Sequence, residues 1–127
     1  MIDHVSIAVR DLAGCGRFYE VVLASLGFSK LVARAGTIGF GKRYPEFWLN
    51  ERRAMTSLDP DSGTHICLRA ADRPSVDAFH AAALRAGGSS DGAPGLRLEY
   101  RAGYYAAFIR DPEGNRIEAV MFDTPRP

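Results

Sequence analysis

The amino-acid sequence predicts an α+β fold in which two tandem βαβββ modules form a curved mixed sheet. The helices lie on its outer face, and the concave face holds a pocket for a metal or ligand. Three observations predict this fold. The order strand, helix and three strands occurs twice, residues of the first half recur in the second at a constant spacing, and the chain closes on a strongly alternating hairpin.

The first predicted module covers about residues 2–50. Apolar and polar residues alternate at its start, so that Val5 and Ile7 face one side of a strand and His4 faces the other. Asp11 is a suitable N-cap for the following helix, and Gly27 provides its end. The strand, the helix and three further strands are predicted, in order, at 2–9, 11–27, 28–34, 37–42 and 46–50.

A polar run at 51–62 predicts a linker to a second module at about 63–122, within a single domain of residues 1–127. Asp72 is the N-cap of the second helix, which ends at a Gly-Gly pair. The predicted elements of this module are, in order, 64–70, 72–87, 96–101, 104–110 and 116–122.

An internal repeat supports the two modules. His4 recurs as His65, and the two N-cap aspartates recur at the same spacing of 61 residues. Several positions with equivalent structural roles therefore match in one register, which is typical of a duplicated unit. Two such units side by side predict that both histidines meet the concave face in equivalent places.

The closing hairpin carries one unusual residue. The run from Asp111 to Asn115, DPEGN, favours a tight turn between the last two strands. In the last strand Glu118 lies between the apolar Ile117 and Ala119, so alternation places its carboxylate on the concave side. Taken alone, Glu118 is either a solvent-facing residue on a wet sheet face or a carboxylate that needs a cation.

Composition limits the possible partners. The chain has 127 residues, with 16 Lys and Arg against 15 Asp and Glu, which favours neither nucleic acid nor a membrane surface. No basic leader precedes an apolar stretch, so a cytoplasmic protein is expected. Cys15 and Cys67 are too few for a disulfide framework, and a small buried side chain is expected at Cys67.

His4, His65 and Glu118 form the predicted metal site. Two imidazoles and a carboxylate on separate strands are a sufficient ligand set for a divalent metal with open positions for water or substrate. The alternative is three unrelated polar residues on a wet face. The third histidine, His80, is expected to be a half-exposed helix residue without a role.

The predicted pocket lining is largely aromatic. Alternation places Trp48, Tyr104, Phe108 and Arg116 on the concave face, where they suit a small organic ligand with an apolar body. For Trp48 and Phe108, ordinary sheet packing is an equal alternative.

The motifs IDHVSIAVRDL, GTHICLRA and YYAAFIRDPEGNRIEAV resemble the vicinal oxygen chelate superfamily over nearly the whole chain. This superfamily includes glyoxalase I, extradiol dioxygenases and bleomycin-resistance proteins. The resemblance implies the paired βαβββ fold, a homodimer, and metal ligands at His4, His65 and Glu118. Trp48 stands where glyoxalase I carries a further ligand, and Phe108 where fosfomycin-resistance enzymes and extradiol dioxygenases carry a tyrosine.

The first functional hypothesis is a divalent-metal-dependent enzyme, a lyase, transferase or dioxygenase. It would bind a small oxygen-bearing substrate through two oxygens and act by Lewis-acid catalysis. The ligand set suits Fe, Mn, Ni, Co or Zn, and no catalytic base is assigned. The alternatives are a binding protein that sequesters a molecule, as bleomycin-resistance proteins do, and a domain whose metal is only structural.

Overall fold

The structure is a computed structural model and describes residues 1–123. The predicted duplication is confirmed, because one strand, one helix and three strands occur twice. The elements are β1 (Val5–Val9), α1 (Leu12–Ala24), β2 (Ser29–Arg34), β3 (Thr37–Gly41), β4 (Pro45–Glu51), β5 (His65–Arg69), α2 (Arg73–Arg85), β6 (Ser89–Leu96), β7 (Tyr104–Arg110) and β8 (Arg116–Phe122). The predicted domain extends to residue 127, and its last residues, 124–127, lie outside the described residues.

Each module forms its own four-stranded mixed sheet. The strand orders are β1-β4-β3-β2 and β5-β8-β7-β6. In both sheets the first strand pairs in parallel with the last, and the remaining neighbours are antiparallel. The predicted α+β class and tandem modules are confirmed, with one sheet per module.

The helices bury the core against one face of the sheets. Helix α1 contacts β2, β3 and β4, helix α2 contacts β6, β7 and β8, and the two helices contact each other. The largest fully buried side chains come from both modules and include Phe18, Tyr19, Phe40, Phe47, Phe79 and Ile109. The opposite face of each sheet, called the open face below, is therefore left for other contacts.

Both predicted N-caps are present. The Asp11 carboxylate accepts a hydrogen bond from the Gly14 N–H at 3.0 Å. The Asp72 carboxylate accepts from the N–H and the hydroxyl of Ser75 at 2.8 and 2.6 Å. Each cap satisfies a backbone donor that the first helical turn leaves unpaired, so the two helices begin where the sequence predicts.

The predicted strand at 96–101 is wrong. The second strand of this module, β6, covers Ser89–Leu96, and a turn follows it. Its glycines and Pro94 resemble a loop, but β6 is an edge strand, where proline and bulges are tolerated. The pairing of β6 with β7 shifts register on both sides of Gly92, and these bulges accommodate the irregular sequence.

The expectation that His80 is half-exposed is also wrong. Its relative exposure is 9%, and its Nε2 lies 2.8 Å from the Ser90 hydroxyl. Because β6 begins earlier than predicted, Ser90 is available to pair with the imidazole. Burial lowers the pKa of His80, since the charged form loses hydration.

No helix within residues 1–123 is long and apolar enough to cross a bilayer.

Candidate metal and ligand site

Glu118 lies at the centre of the open face of the second sheet. Its exposure is only 2%, although its neighbours Ile117 and Ala119 point to the opposite, helix-covered face. One carboxylate oxygen, Oε1, lies 3.2 Å from Nε2 of His65. The parallel pairing of β5 with β8 brings these strands side by side, so the sheet itself assembles this pair.

The second carboxylate oxygen of Glu118 has a different partner. The Tyr104 hydroxyl donates a hydrogen bond to Oε2 at 2.5 Å. Burial, followed by this hydrogen bond to Glu118, raises the pKa of Tyr104, so the hydroxyl keeps its proton at neutral pH. His65, Glu118 and Tyr104 therefore form one connected polar cluster.

His4 does not join this cluster. It precedes β1, its side chain is 56% exposed, and its Nδ1 lies 2.7 Å from the Asp3 carboxylate. Among residues 1–123, no three His, Cys, Asp or Glu side chains lie together in a way that could hold a metal ion. One chain thus brings together two of the three predicted ligands, His65 and Glu118.

Two separate hollows on the open faces contain the predicted residues. The Glu118 hollow, of about 410 Å³, is lined by Gly63, Thr64, His65, Asp91, Tyr100, Tyr104, Phe108, Arg116, Ile117 and Glu118. The Trp48 hollow, of about 430 Å³, is lined by Asp3, His4, Ser6, Arg34, Thr37, Pro45, Trp48 and Asn50. The predicted substrate-binding set therefore divides, with Trp48 in one hollow and Tyr104, Phe108 and Arg116 in the other.

Comparison with known proteins identifies the family. A sequence model described as the Glyoxalase/Bleomycin resistance protein/Dioxygenase superfamily matches residues 1–119. The chain belongs to this superfamily. The resemblance stated from the motifs is confirmed. No curated protein matches the chain.

Solved structures of the superfamily share the fold. A glyoxalase/bleomycin resistance protein from Albidiferax ferrireducens T118 is 30% identical, with a TM-score of 0.81 over 93% of this chain and 96% of that one. A family enzyme from Burkholderia phytofirmans PsJN is 21% identical, with a TM-score of 0.71 over 94% and 96% of the two chains. The S. aureus hypothetical protein SA1046 is 22% identical, with a TM-score of 0.70 over 95% and 94%. At 21% and 22% identity, the similarities to the last two structures are evidence only for the shared fold.

The donor chemistry at Glu118 fits a divalent ion in part. A buried carboxylate next to an imidazole nitrogen is a typical pair of metal ligands in proteins. Within the described residues no Lys or Arg forms an ion pair with Glu118, and the imidazole of His65 is the basic group beside it. The pair supplies two donors for an ion, and a third must come from elsewhere.

Cys67 extends the cluster along β5. It lies opposite Glu118 in the parallel register and is exposed, so the expectation of a small buried side chain is wrong. Partial desolvation on the sheet face, followed by the negative charge of Glu118, raises the pKa of Cys67 to about 12. The thiol is therefore protonated at neutral pH and is not an activated nucleophile.

Arg116 and Phe108 form part of the wall of the Glu118 hollow. Arg116 donates from Nη2 to the backbone oxygen of Pro60 at 2.5 Å, and its Nε lies 3.9 Å from Asp91. Arg116 thus ties the linker to the rim of the hollow. The Arg97 guanidinium lies 5.3 Å from the centroid of the Phe108 ring, so a cation also stacks on this aromatic wall.

The DPEGN motif of the superfamily forms the predicted hairpin turn. Asp111 is 3% exposed, and its carboxylate accepts from the N–H groups of Glu113 and Asn115, both at 2.9 Å. The Tyr19 hydroxyl of α1 also donates to it, at 2.7 Å. Gly114 has φ of +98°, which a residue with a side chain rarely adopts.

Sequence analysis missed that this turn also joins the two modules. The Glu113 carboxylate accepts from the backbone N–H groups of Arg10 and Asp11 at 2.6 and 2.8 Å, at the start of α1. The Asn115 amide donates to the Ala8 backbone oxygen at 3.2 Å. The acidic residue Glu113 in the turn is visible in the sequence. Its spacing does not reveal, however, that its hydrogen-bond partners lie more than 100 residues away. In this chain the motif holds the modules together.

Proposed function

We propose that this protein is a divalent-metal-dependent enzyme that acts on a small oxygen-bearing organic substrate in the Glu118 hollow. One observation carries the proposal: a carboxylate with 2% exposure faces an imidazole at 3.2 Å in a hollow that opens to solvent. A buried carboxylate is rarely maintained without a full cationic partner. An imidazole lacks the permanent charge of Lys or Arg but is a good metal ligand, so the pair suits an ion better than it suits a structural role.

His65 and Glu118 would hold the ion, and His4 would complete the ligand set. Because His4 of the same chain lies in the Trp48 hollow, we propose a homodimer in which the His4 of a second copy reaches the Glu118 hollow. When bound, the ion supplies Lewis-acid polarisation of a substrate oxygen. The donor set suits Fe, Mn, Ni, Co or Zn.

The walls of the hollow select the substrate. Tyr100, Tyr104 and Phe108 provide an aromatic surface, while Asp91 and Arg116 provide polar groups at the rim. A volume of about 410 Å³ is within the range of small-molecule sites. These features support a compact organic substrate with an apolar body and oxygen atoms at the end that meets Glu118.

Metal analysis of protein purified without chelators tests the proposal. We expect about one divalent ion per chain in the wild type and a roughly tenfold or greater loss of affinity in His65→Ala and Glu118→Ala. The matched control is His80→Gln, which changes the remaining histidine and should keep the metal. A wild type that binds none of Fe²⁺, Mn²⁺, Ni²⁺, Co²⁺ or Zn²⁺ would refute the proposed function.

A screen then addresses the reaction. The loaded protein is tested for turnover and thermal shift with 2-oxoaldehydes, thiols, catechols and epoxides. Turnover that requires the metal and disappears in Glu118→Ala supports lyase, transferase or dioxygenase chemistry. Metal binding without turnover of any of these classes would remove them as substrates.

A second candidate is a binding protein that sequesters its ligand without chemistry. It is favoured by the single-chain geometry, because the described part of one chain groups only two of the proposed metal donors, in a hollow that also has an aromatic wall. Affinity for an aromatic ligand that persists after complete metal removal would support sequestration. Loss of that affinity with the metal would support the enzyme.

We also propose that the protein works in the cytoplasm. Cys15 and Cys67 are both free, with Cys67 exposed on the open face of β5. Free thiols are typical of proteins in reducing compartments. Localisation of a tagged protein by cell fractionation tests this, and recovery in an oxidising compartment would contradict it.

A further inference from the structure

We infer that Tyr104 is a positioning residue, whose hydroxyl engages one oxygen of Glu118 and leaves the other oxygen, beside His65, for a metal ion. The inference rests on the proposed metal-dependent function and names a residue that the superfamily's ligand set does not include. It is carried by the contacts of the Tyr104 side chain and by the register of the sheet.

Tyr104 contacts Glu118 from a position further along β7, not from the position directly opposite on that strand. In the antiparallel pairing of β7 with β8, Phe108 lies directly opposite Glu118, and Tyr104 lies opposite Phe122. Phe108 has no hydroxyl, so the facing position on β7 offers the carboxylate no donor, whereas on β5 the facing residue is Cys67. Tyr104 shares the same face four residues earlier on β7, and its hydroxyl lies 2.5 Å from Oε2.

Packing holds the Tyr104 ring in this direction. The ring makes edge contacts with Tyr100 and Phe122, at centroid distances of 5.1 and 5.3 Å. The Arg69 guanidinium lies 4.5 Å from the centroid of Phe122 and covers that ring in turn. Because aromatic edge contacts favour specific orientations, the hydroxyl is presented to Glu118 before any ligand binds.

The two oxygens of Glu118 therefore have different environments. Oε2 accepts from the Tyr104 hydroxyl, whereas Oε1 lies 3.2 Å from Nε2 of His65, and His65 and Glu118 both line the hollow. A donor on Oε2 favours metal binding through Oε1 alone and keeps further coordination positions open for substrate. Partners that orient a ligand in this way usually contribute about 10- to 100-fold in metal affinity.

Tyr104→Phe tests the inference, with Co²⁺ as the probe. The substitution keeps the ring contacts and removes the hydroxyl. We expect Co²⁺ affinity to fall about 10- to 100-fold. We also expect a weaker and shifted visible absorption of bound Co²⁺, because Glu118 is then free to bind through both oxygens and raise the coordination number.

Tyr105→Phe is the matched control. Tyr105 is the next residue on β7 and faces the helices, where its hydroxyl donates to Asp77 at 2.6 Å. The Tyr105→Phe variant also loses one phenolic oxygen, but from the opposite face of the sheet. Its Co²⁺ affinity and spectrum should therefore equal those of the wild type. Thermal unfolding of all proteins in EDTA checks that each variant stays folded at the temperature of the Co²⁺ titration. Because Tyr104→Phe removes a donor from a buried carboxylate, its metal-free Tm should fall by several degrees.

The outcomes distinguish the two proposals. Wild-type Co²⁺ affinity and spectrum in Tyr104→Phe would overturn the inference about Tyr104 and leave the metal site standing. A lower Co²⁺ affinity of Tyr104→Phe with an unchanged visible spectrum would assign the hydroxyl a structural role and also overturn the inference. A wild type without any Co²⁺ binding would overturn the metal site itself, and the inference with it.

Discussion

At the residue scale, Glu118 shows how a sheet can maintain an unfavourable side chain. Its alternation along β8 directs it away from the helices, yet Tyr104, His65 and the neighbouring strands exclude water from it. Among residues 1–123 the carboxylate has hydrogen-bond partners, but no Lys or Arg forms an ion pair with it. Side chains that cost stability in this way are typical of functional sites.

We predict that Glu118→Gln does not destabilise the metal-free protein. The amide has the same shape and can still accept from Tyr104, while the cost of burying a charge disappears. We expect the Tm in EDTA to equal that of the wild type or to exceed it by several degrees, a change of about 0–2 kcal/mol. Thermal denaturation followed by circular dichroism measures this. A clear fall in Tm would mean that the charge of Glu118 stabilises the fold.

His80 predicts a pH dependence of stability. Burial lowers its pKa below the usual value of 6.5, so the unfolded chain binds a proton more readily than the folded chain. Stability from the neutral imidazole is present above about pH 6.5 and is lost as the pH falls below that value. We expect the Tm of the wild type to fall between pH 7.5 and 5.5.

His80→Gln should reduce this slope, because the amide can pair with Ser90 without titrating. Measurements in EDTA keep metal binding out of the comparison. Equal slopes in wild type and variant would contradict the role assigned to His80.

At the element scale, the β7–β8 turn acts on the start of α1. Glu113 places its carboxylate against two backbone N–H groups there, with its side chain 8% exposed. A negative charge at a helix N-terminus is favourable, and charge-assisted hydrogen bonds are among the stronger ones. The turn of one module therefore caps the helix of the other.

We predict that Glu113→Gln lowers stability by about 1–3 kcal/mol at neutral pH. Burial of Glu113 raises its pKa, but the hydrogen bonds from the N–H groups of Asp11 and Arg10 have the larger combined effect. The pKa of Glu113 is therefore below the usual 4.5. The contribution is then present above about pH 4.5 and is lost as the pH falls through the lowered pKa. Chemical denaturation of the wild type and Glu113→Gln at pH 7 and at pH 3 measures the stability difference at each pH. A difference from wild type that persists undiminished at pH 3 would refute the electrostatic explanation.

At the scale of the whole molecule, the main question is which chains would supply the proposed metal ligands. His65 and Glu118 lie in one hollow, and His4 lies in the other. A closed symmetric dimer that places one open face against the other would form two identical sites. Each site would then combine His4 of one protomer with His65 and Glu118 of its partner.

Mixing two variants that each lack one proposed ligand tests this arrangement. His4→Ala and His65→Ala each lack one ligand in every site. If the ligands come from two chains, re-associating equal amounts restores one intact site in each mixed dimer, or about a quarter of all sites. Metal content and Co²⁺ absorption measure the recovery. No recovery, with mass spectrometry confirming mixed dimers, would contradict a site shared between two chains.

Much of the fold could be predicted because its signals are local. Strands β7 and β8 begin and end where alternation predicts, and both N-cap aspartates sit at predicted positions. Strand β6 could not be predicted, because its glycine-rich segment has little strand preference and is held by the ladder of β7. The candidate site could be predicted only in part. Alternation indicates which face of the sheet a side chain occupies, but it does not give the distance of that side chain from residues on other strands.

The sequence by itself determined the duplicated modules, the helix starts, the closing hairpin and the open-face positions of His65, Glu118, Tyr104 and Phe108. These follow from periodicity and capping, which act within a few residues. Only the tertiary structure decided that His65 and Tyr104 share Glu118, that His4 lies apart from them, and that Glu113 caps the helix of the other module. Those contacts depend on strand pairing and module packing across tens of residues, which no local pattern encodes.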